Sequence, residues 1–205
     1  MLFFESLKLI LHHTRLAAGM AFVFGAGAVF SLPVLQWQIK PLMYFPRKFA
    51  HLIERIVSAH LHRFRLAIFI FLFNGMAIFL YMLTGLIPGV PVAVTFLTGL
   101  NVALASFLGR RKVLQSSQPA ALSASARICA ILTFLLELPC FWYAMALGWT
   151  IKTRLPDLFT GENLASTKER VLAYALVILP LLGISALAEA HAVVSSLRGF
   201  GTQDV

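Results

Sequence analysis

Two glutamates stand where a charge is costly. Glu137 interrupts an apolar run from Arg127 to Thr150, and Glu189 falls in the last quarter of another, from about Val171 to Val194. Measured from Arg127, Glu137 lies roughly 15 Å along a helix, close to the middle of a bilayer. An ionised carboxylate at that depth is strongly disfavoured unless it is paired, so it is either protonated or faces a protein or water-lined interior. Pro139 follows two residues later. It leaves the Leu135 carbonyl without its intrahelical donor and predicts a kink beside the carboxylate. Asn74 and Asn101 place amides in two further apolar stretches, where buried amides need partners across helix interfaces. The candidate set is therefore Glu137, Glu189, Asn74, Asn101 and Pro139. Three uses fit it: hydrogen bonds that fix a helix bundle, proton or ion coupling, and binding of a partner helix or substrate.

The elements that must carry these residues are transmembrane helices. Of the 205 residues 60% are hydrophobic and the mean hydropathy is +0.86, above the 45–50% apolar content of ordinary soluble domains. The excess gathers into uncharged runs of about 20 residues, the length a spanning helix needs. Leu16–Leu35 is the first, with Gly19, Gly25 and Gly27 allowing close helix approach. A secretory signal peptide is the rival reading of that segment. Residues 66–108 contain no charge and are too long for one span; Ile87-Pro88-Gly89-Val90-Pro91 divides them into a tight hairpin, Leu66–Ile87 and Val92–Leu108. The fourth and fifth spans hold Glu137 and Glu189. The fold class is an all-α polytopic bundle of about five spans with kinked polar helices, read as one membrane domain over residues 1–205.

Charge is distributed between the spans. Residues 1–14 form a short interfacial helix or the leading turns of the first span. Residues 36–65 carry Lys40, Arg47, Lys48, Arg55, Arg63 and Arg65, with apolar residues at helical spacing from Phe49. They read as a basic amphipathic segment for the membrane surface or for a partner. Arg110, Arg111 and Lys112 open a basic loop running to Ser125, and a mixed-charge loop joins spans four and five. The net charge of +9 fits anionic lipid headgroups, and no aromatic–basic interleaving points to nucleic acid. The first loop, the third loop and the C-terminus hold eleven of the seventeen Lys and Arg residues, which places them in the cytoplasm and the N-terminus outside.

Little else carries chemistry. Cys129 and Cys140 are eleven residues apart on one helix, about 16 Å, and cannot pair. His12, His13, His60 and His62 read as solvated interfacial groups. There is no phosphate loop, zincin motif or nucleophile elbow, no metal spacing and no implied cofactor, so an enzyme has no motif behind it.

Leu136-Glu137-Leu138-Pro139, followed by Ala144, Ala146 and Gly148, resembles the Glu-Leu-Pro-Ala helix of the stage II sporulation protein M family. Ile178-Leu179-Pro180-Leu181-Leu182 through Ala186-Leu187-Ala188-Glu189-Ala190 resembles that family's last helix. Leu72-Phe73-Asn74-Gly75 and Gly99-Leu100-Asn101 sit where it has Asn- and Gly-bearing helices. The likeness runs over roughly residues 64–194. The chain departs from the family where Thr133-Phe134-Leu135-Leu136 replaces a His-Gly, and where Asn101 lacks a following Gly. Family members are associated with a septal cell-wall remodelling complex during engulfment, and many relatives occur in bacteria that do not sporulate. The resemblance implies a multi-pass protein of the bacterial inner membrane that works with other membrane or envelope proteins, or as a homo-oligomer. The role it implies is that of a scaffold or accessory subunit, the alternative being a permease subunit with an intramembrane carboxylate, and a weaker third reading an intramembrane enzyme.

Overall fold

The computed structural model describes residues 2–44, 46–48, 51, 62–115, 123–151 and 161–201. Residues 45, 49, 50 and 52–61 of the basic segment 36–65 fall outside them. The described chain is helical throughout: α1 (Leu2–His12), α2 (Thr14–Gln36), α3 (Arg63–Leu83), α4 (Val90–Gln115), α5 (Ala124–Trp149), α6 (Gly161–Ala173) and α7 (Leu179–Gly201). Five segments are long and apolar enough to cross a membrane: Thr14–Gln36, Arg63–Leu86, Val90–Leu108, Ala124–Trp149 and Ala165–Ser195. Helices are what uncharged runs of this length must form in lipid, because each backbone donor then finds an acceptor within its own segment. The architecture is a polytopic transmembrane helical bundle, and residues 14–36 are an integral part of it.

Local chemistry fixes the helix ends. The Ser123 hydroxyl accepts from the Ala126 amide at 3.2 Å and caps α5. After α3 the chain tightens into a 3₁₀ turn at Thr84–Leu86, then reverses through Gly89 at φ +82°, a left-handed conformation that glycine adopts without strain. Pro91 lies in the first turn of α4, where its missing N–H is not needed.

That turn is where the sequence places it, but the hairpin arms do not stay together. Helix α4 packs along α2, and α3 packs against α7 and α5. The reason lies in the glycines. A Cβ on Gly27 would run into the Phe96 carbonyl, and one on Gly99 into the Phe24 carbonyl, so α2 and α4 touch backbone to backbone through reciprocal glycines. Gly85 and Gly148 do the same where the 3₁₀ turn meets the end of α5. The main core joins Phe24, Met82, Phe141, Met145, Tyr174 and Ile178, while Val34, Met43, Leu100 and Leu104 form a second cluster. On the outer face of α3, Ile68, Leu72, Met76 and Leu80 are exposed at four-residue intervals, as a lipid-facing stripe requires.

Three expectations change. Arg110, Arg111 and Lys112 are not in a loop: α4 continues through them to Gln115, since Arg and Lys are good helix formers and cations favour a helix C-terminus. Residues 161–170, read as loop from their charges, form most of α6, which packs against α1. His13 is buried rather than solvated, its Nδ1 bonded to the Leu9 carbonyl at 2.7 Å, and it marks the bend between α1 and α2.

Candidate functional site: an intramembrane polar cleft

Because α3 and α4 diverge beyond their turn, a cleft of about 430 Å³ opens between them, backed by α2 and α5. Its walls are largely apolar, with Phe24, Phe73, Ile78, Tyr81, Leu138 and Phe141, and Pro46 lies at its edge. Asn74, Thr98, Asn101, Ser106 and Glu137 interrupt that surface. Three of the residues singled out in the sequence thus meet in one place, though they come from three helices.

Glu137 is half-buried on α5, and the Asn74 Nδ2 amide of α3 donates to its Oε1 at 2.9 Å. Among the described residues no cation pairs with Glu137 and no second hydrogen bond is made to it. Asn101 faces the same cleft from α4 and makes no side-chain hydrogen bond to a described residue. Thr98 and Ser106 donate their hydroxyls to the Val94 and Val102 carbonyls, both at 2.8 Å, which leaves their oxygens free to accept. Pro139 lies inside α5, which runs on as an α-helix to Trp149.

Asn74 is placed by its neighbour. The Tyr174 hydroxyl donates to the Gly75 carbonyl, tying α3 to the five-residue π-helical segment Tyr174–Ile178 that precedes Pro180. Proline cannot donate to the preceding turn, and a π-bulge is one way a helix accommodates that loss. The widened turn also leaves the Ile178 carbonyl opposite the Cys140 thiol of α5, at 3.9 Å. Both cysteines are free.

Glu189 is not in the cleft. The Ser185 hydroxyl of α7 donates to the Thr133 carbonyl of α5 at 3.5 Å, which fixes the register of these two helices. Glu189 is four residues past Ser185, and Thr133 is four before Glu137, so the two carboxylates are separated by roughly 12 Å of helix axis. Side chains lean toward the N-terminus of their own helix. In this antiparallel pair they lean toward one another. One Glu189 oxygen, Oε2, is buried with no hydrogen-bond partner among the described residues.

Two positions were not singled out in the sequence. Tyr174 is one of many apolar-run aromatics, and nothing in its spacing marks it. Arg170 reads as a loop charge, yet its guanidinium clasps the end of α5: Nε donates to the Thr150 hydroxyl and Nη2 to the Thr150 carbonyl, both at 3.0 Å. Nη1 donates to the Ser166 carbonyl at 2.7 Å and also to its hydroxyl. A cation at a helix C-terminus satisfies carbonyls that have no donor within the helix. The side chains of Arg110, Arg111 and Lys112 lie outside the described residues. No group of His, Cys, Asp and Glu that could hold a metal occurs among those described.

The model of the stage II sporulation protein M family matches residues 16–192. The match covers the first span as well as the region from residue 64 onward, and the chain belongs to that family. No curated protein and no solved structure matches it significantly.

Proposed function

We propose that this member of the stage II sporulation protein M family is a scaffold or accessory subunit of an envelope complex in the bacterial inner membrane, with a link to cell-wall remodelling. The observation that carries the reading is the family match over most of the chain, on a bundle whose described residues lie mainly in membrane-spanning helices. Such a chain offers other membrane proteins its helix faces more than any soluble domain, and it works as a single membrane unit. The basic residues of segment 36–65 and Arg110, Arg111 and Lys112 anchor it to anionic headgroups on the cytoplasmic side. Affinity purification from gently solubilised membranes tests the proposal. A stoichiometric protein partner is the expected result, and full activity of the isolated chain in proteoliposomes would defeat it.

The second reading is a permease subunit, favoured by the run of Thr98, Asn101 and Ser106 along one face of α4 toward Glu137. It expects substrate flux that falls in Glu137→Gln; unchanged flux removes the carboxylate from any transport mechanism.

A further inference from the structure

We infer that the cleft between α3 and α4 is a docking point for a transmembrane helix of another protein, one that presents a lysine or arginine at mid-membrane depth. The inference rests on the scaffold reading and names the site where the scaffold would hold its partner.

Asn74 holds one oxygen of Glu137 and orients the group, and no basic side chain among the described residues completes it. Asn101, on the facing wall, has an amide with no partner among them. The walls between these groups are apolar, and the α2 and α5 sides are closed by packed aromatics, with Phe24 against Phe141 and Trp142. The open side is the gap between α3 and α4. Its rim is formed by Phe73, Ala77 and Tyr81 on α3 and by Val102 and Ala105 on α4, with Val102 exposed. An apolar helix can lie on that rim. The cleft behind it is too small for a helix but has room for a long side chain.

Charge complementarity selects the chemistry of that side chain. A lone carboxylate and a lone ammonium or guanidinium are each costly at the bilayer centre, and bringing them together offsets both penalties. The carbonyl oxygen of Asn101 and the hydroxyl oxygens of Thr98 and Ser106 can accept the remaining N–H groups of a Lys or Arg. An amine-headed lipid offers the same group, but its headgroup would have to descend roughly 15 Å to reach Glu137. A partner helix delivers the charge at the right depth.

The test uses the full-length protein in nanodiscs and a synthetic polyleucine transmembrane peptide with one central lysine, compared by energy transfer with its all-leucine counterpart. The lysine peptide is expected to bind about tenfold more tightly. Glu137→Leu should abolish that preference. Glu137→Gln, which keeps an oxygen for Asn74 and preserves the fold if the leucine variant does not, should abolish it too. Asn101→Leu should reduce it while leaving the Asn74–Glu137 bond in place. Equal binding of both peptides to the wild type overturns the inference, as does a lysine preference that survives in Glu137→Gln. An amine-headed phospholipid, or a second copy of the chain, held by the wild type and released by Glu137→Gln, with no lysine preference, overturns it in favour of that occupant. If the peptides fail but a stoichiometric partner co-purifies with wild type and Glu137→Gln alike, the scaffold function stands and the cleft is not its docking point.

Discussion

Asn74 on α3 donates a 2.9 Å hydrogen bond to Glu137 on α5, across 63 residues of sequence. This bond joins two parallel spans in the apolar interior and fixes which way the carboxylate points. Replacing Asn74 with alanine removes its donor and should destabilise the bundle by about 1–3 kcal/mol. Glu137→Gln keeps an acceptor and should cost much less. A double-mutant cycle on Asn74→Ala and Glu137→Ala, read by unfolding in mixed micelles, should return a coupling of about 0.6–1.7 kcal/mol, the range for side-chain bonds in membranes. Strict additivity would mean that the bond does not hold in the bilayer.

The glycines of α2 give a contrast within three residues. Gly27 is pressed against the Phe96 carbonyl, whereas a Cβ on Gly25 meets nothing within 4 Å. Gly27→Ala, and its counterpart Gly99→Ala, should each lower stability by about 1–3 kcal/mol, because backbone has to move. Gly25→Ala should be neutral or slightly stabilising, as expected of an unhindered helical glycine. Thermal melts of the three variants in one detergent decide the matter; equal melting points would show that α2 and α4 do not meet through these glycines.

Tyr174→Phe removes the hydroxyl that bonds the Gly75 carbonyl while leaving the ring in the core. A loss of about 0.5–1.5 kcal/mol is expected. Since Gly75 adjoins Asn74, the same variant should weaken the Asn74–Glu137 coupling. A cycle value that stays the same when measured in the Tyr174→Phe background would show that the two contacts are independent.

Arg170→Lys should behave nearly as badly as Arg170→Ala. A single ammonium cannot reproduce three nitrogens reaching Thr150 and Ser166 at once. Each variant should lose about 1–3 kcal/mol, the scale for hydrogen bonds to a charged group. A lysine variant with wild-type melting would show that charge alone matters there.

The excess of Lys and Arg around the first loop, the third loop and the C-terminus predicts that these face the cytoplasm. A reporter fused to the C-terminus should be active in the cytoplasm, and one at the N-terminus should be active outside. The reverse pattern would invert the side from which the cleft and its partner are reached.

The sequence alone determined the number of the spans, the limits of the first four to within a few residues, the turn at Pro88 and Gly89, and the identity of the polar residues held in the membrane. Each of these is a property of one contiguous stretch: run length against bilayer thickness, a proline or glycine against helix geometry, a charge against an apolar background. It did not determine which spans are neighbours. Lipid surrounds every apolar face equally well, so hydrophobicity marks a helix without choosing its partner; small-residue contacts and polar pairs make that choice. Whether Gly27 meets Gly99, Asn74 meets Glu137, or Glu189 joins them depends on the rotation and register of separate helices. The tertiary structure therefore brought Glu137, Asn74 and Asn101 to one cleft and left Glu189 two helical turns away. It also turned Arg170 from a loop charge into a clasp and gave Tyr174 a place beside Asn74, because both act through backbone carbonyls, which leave no trace in residue type.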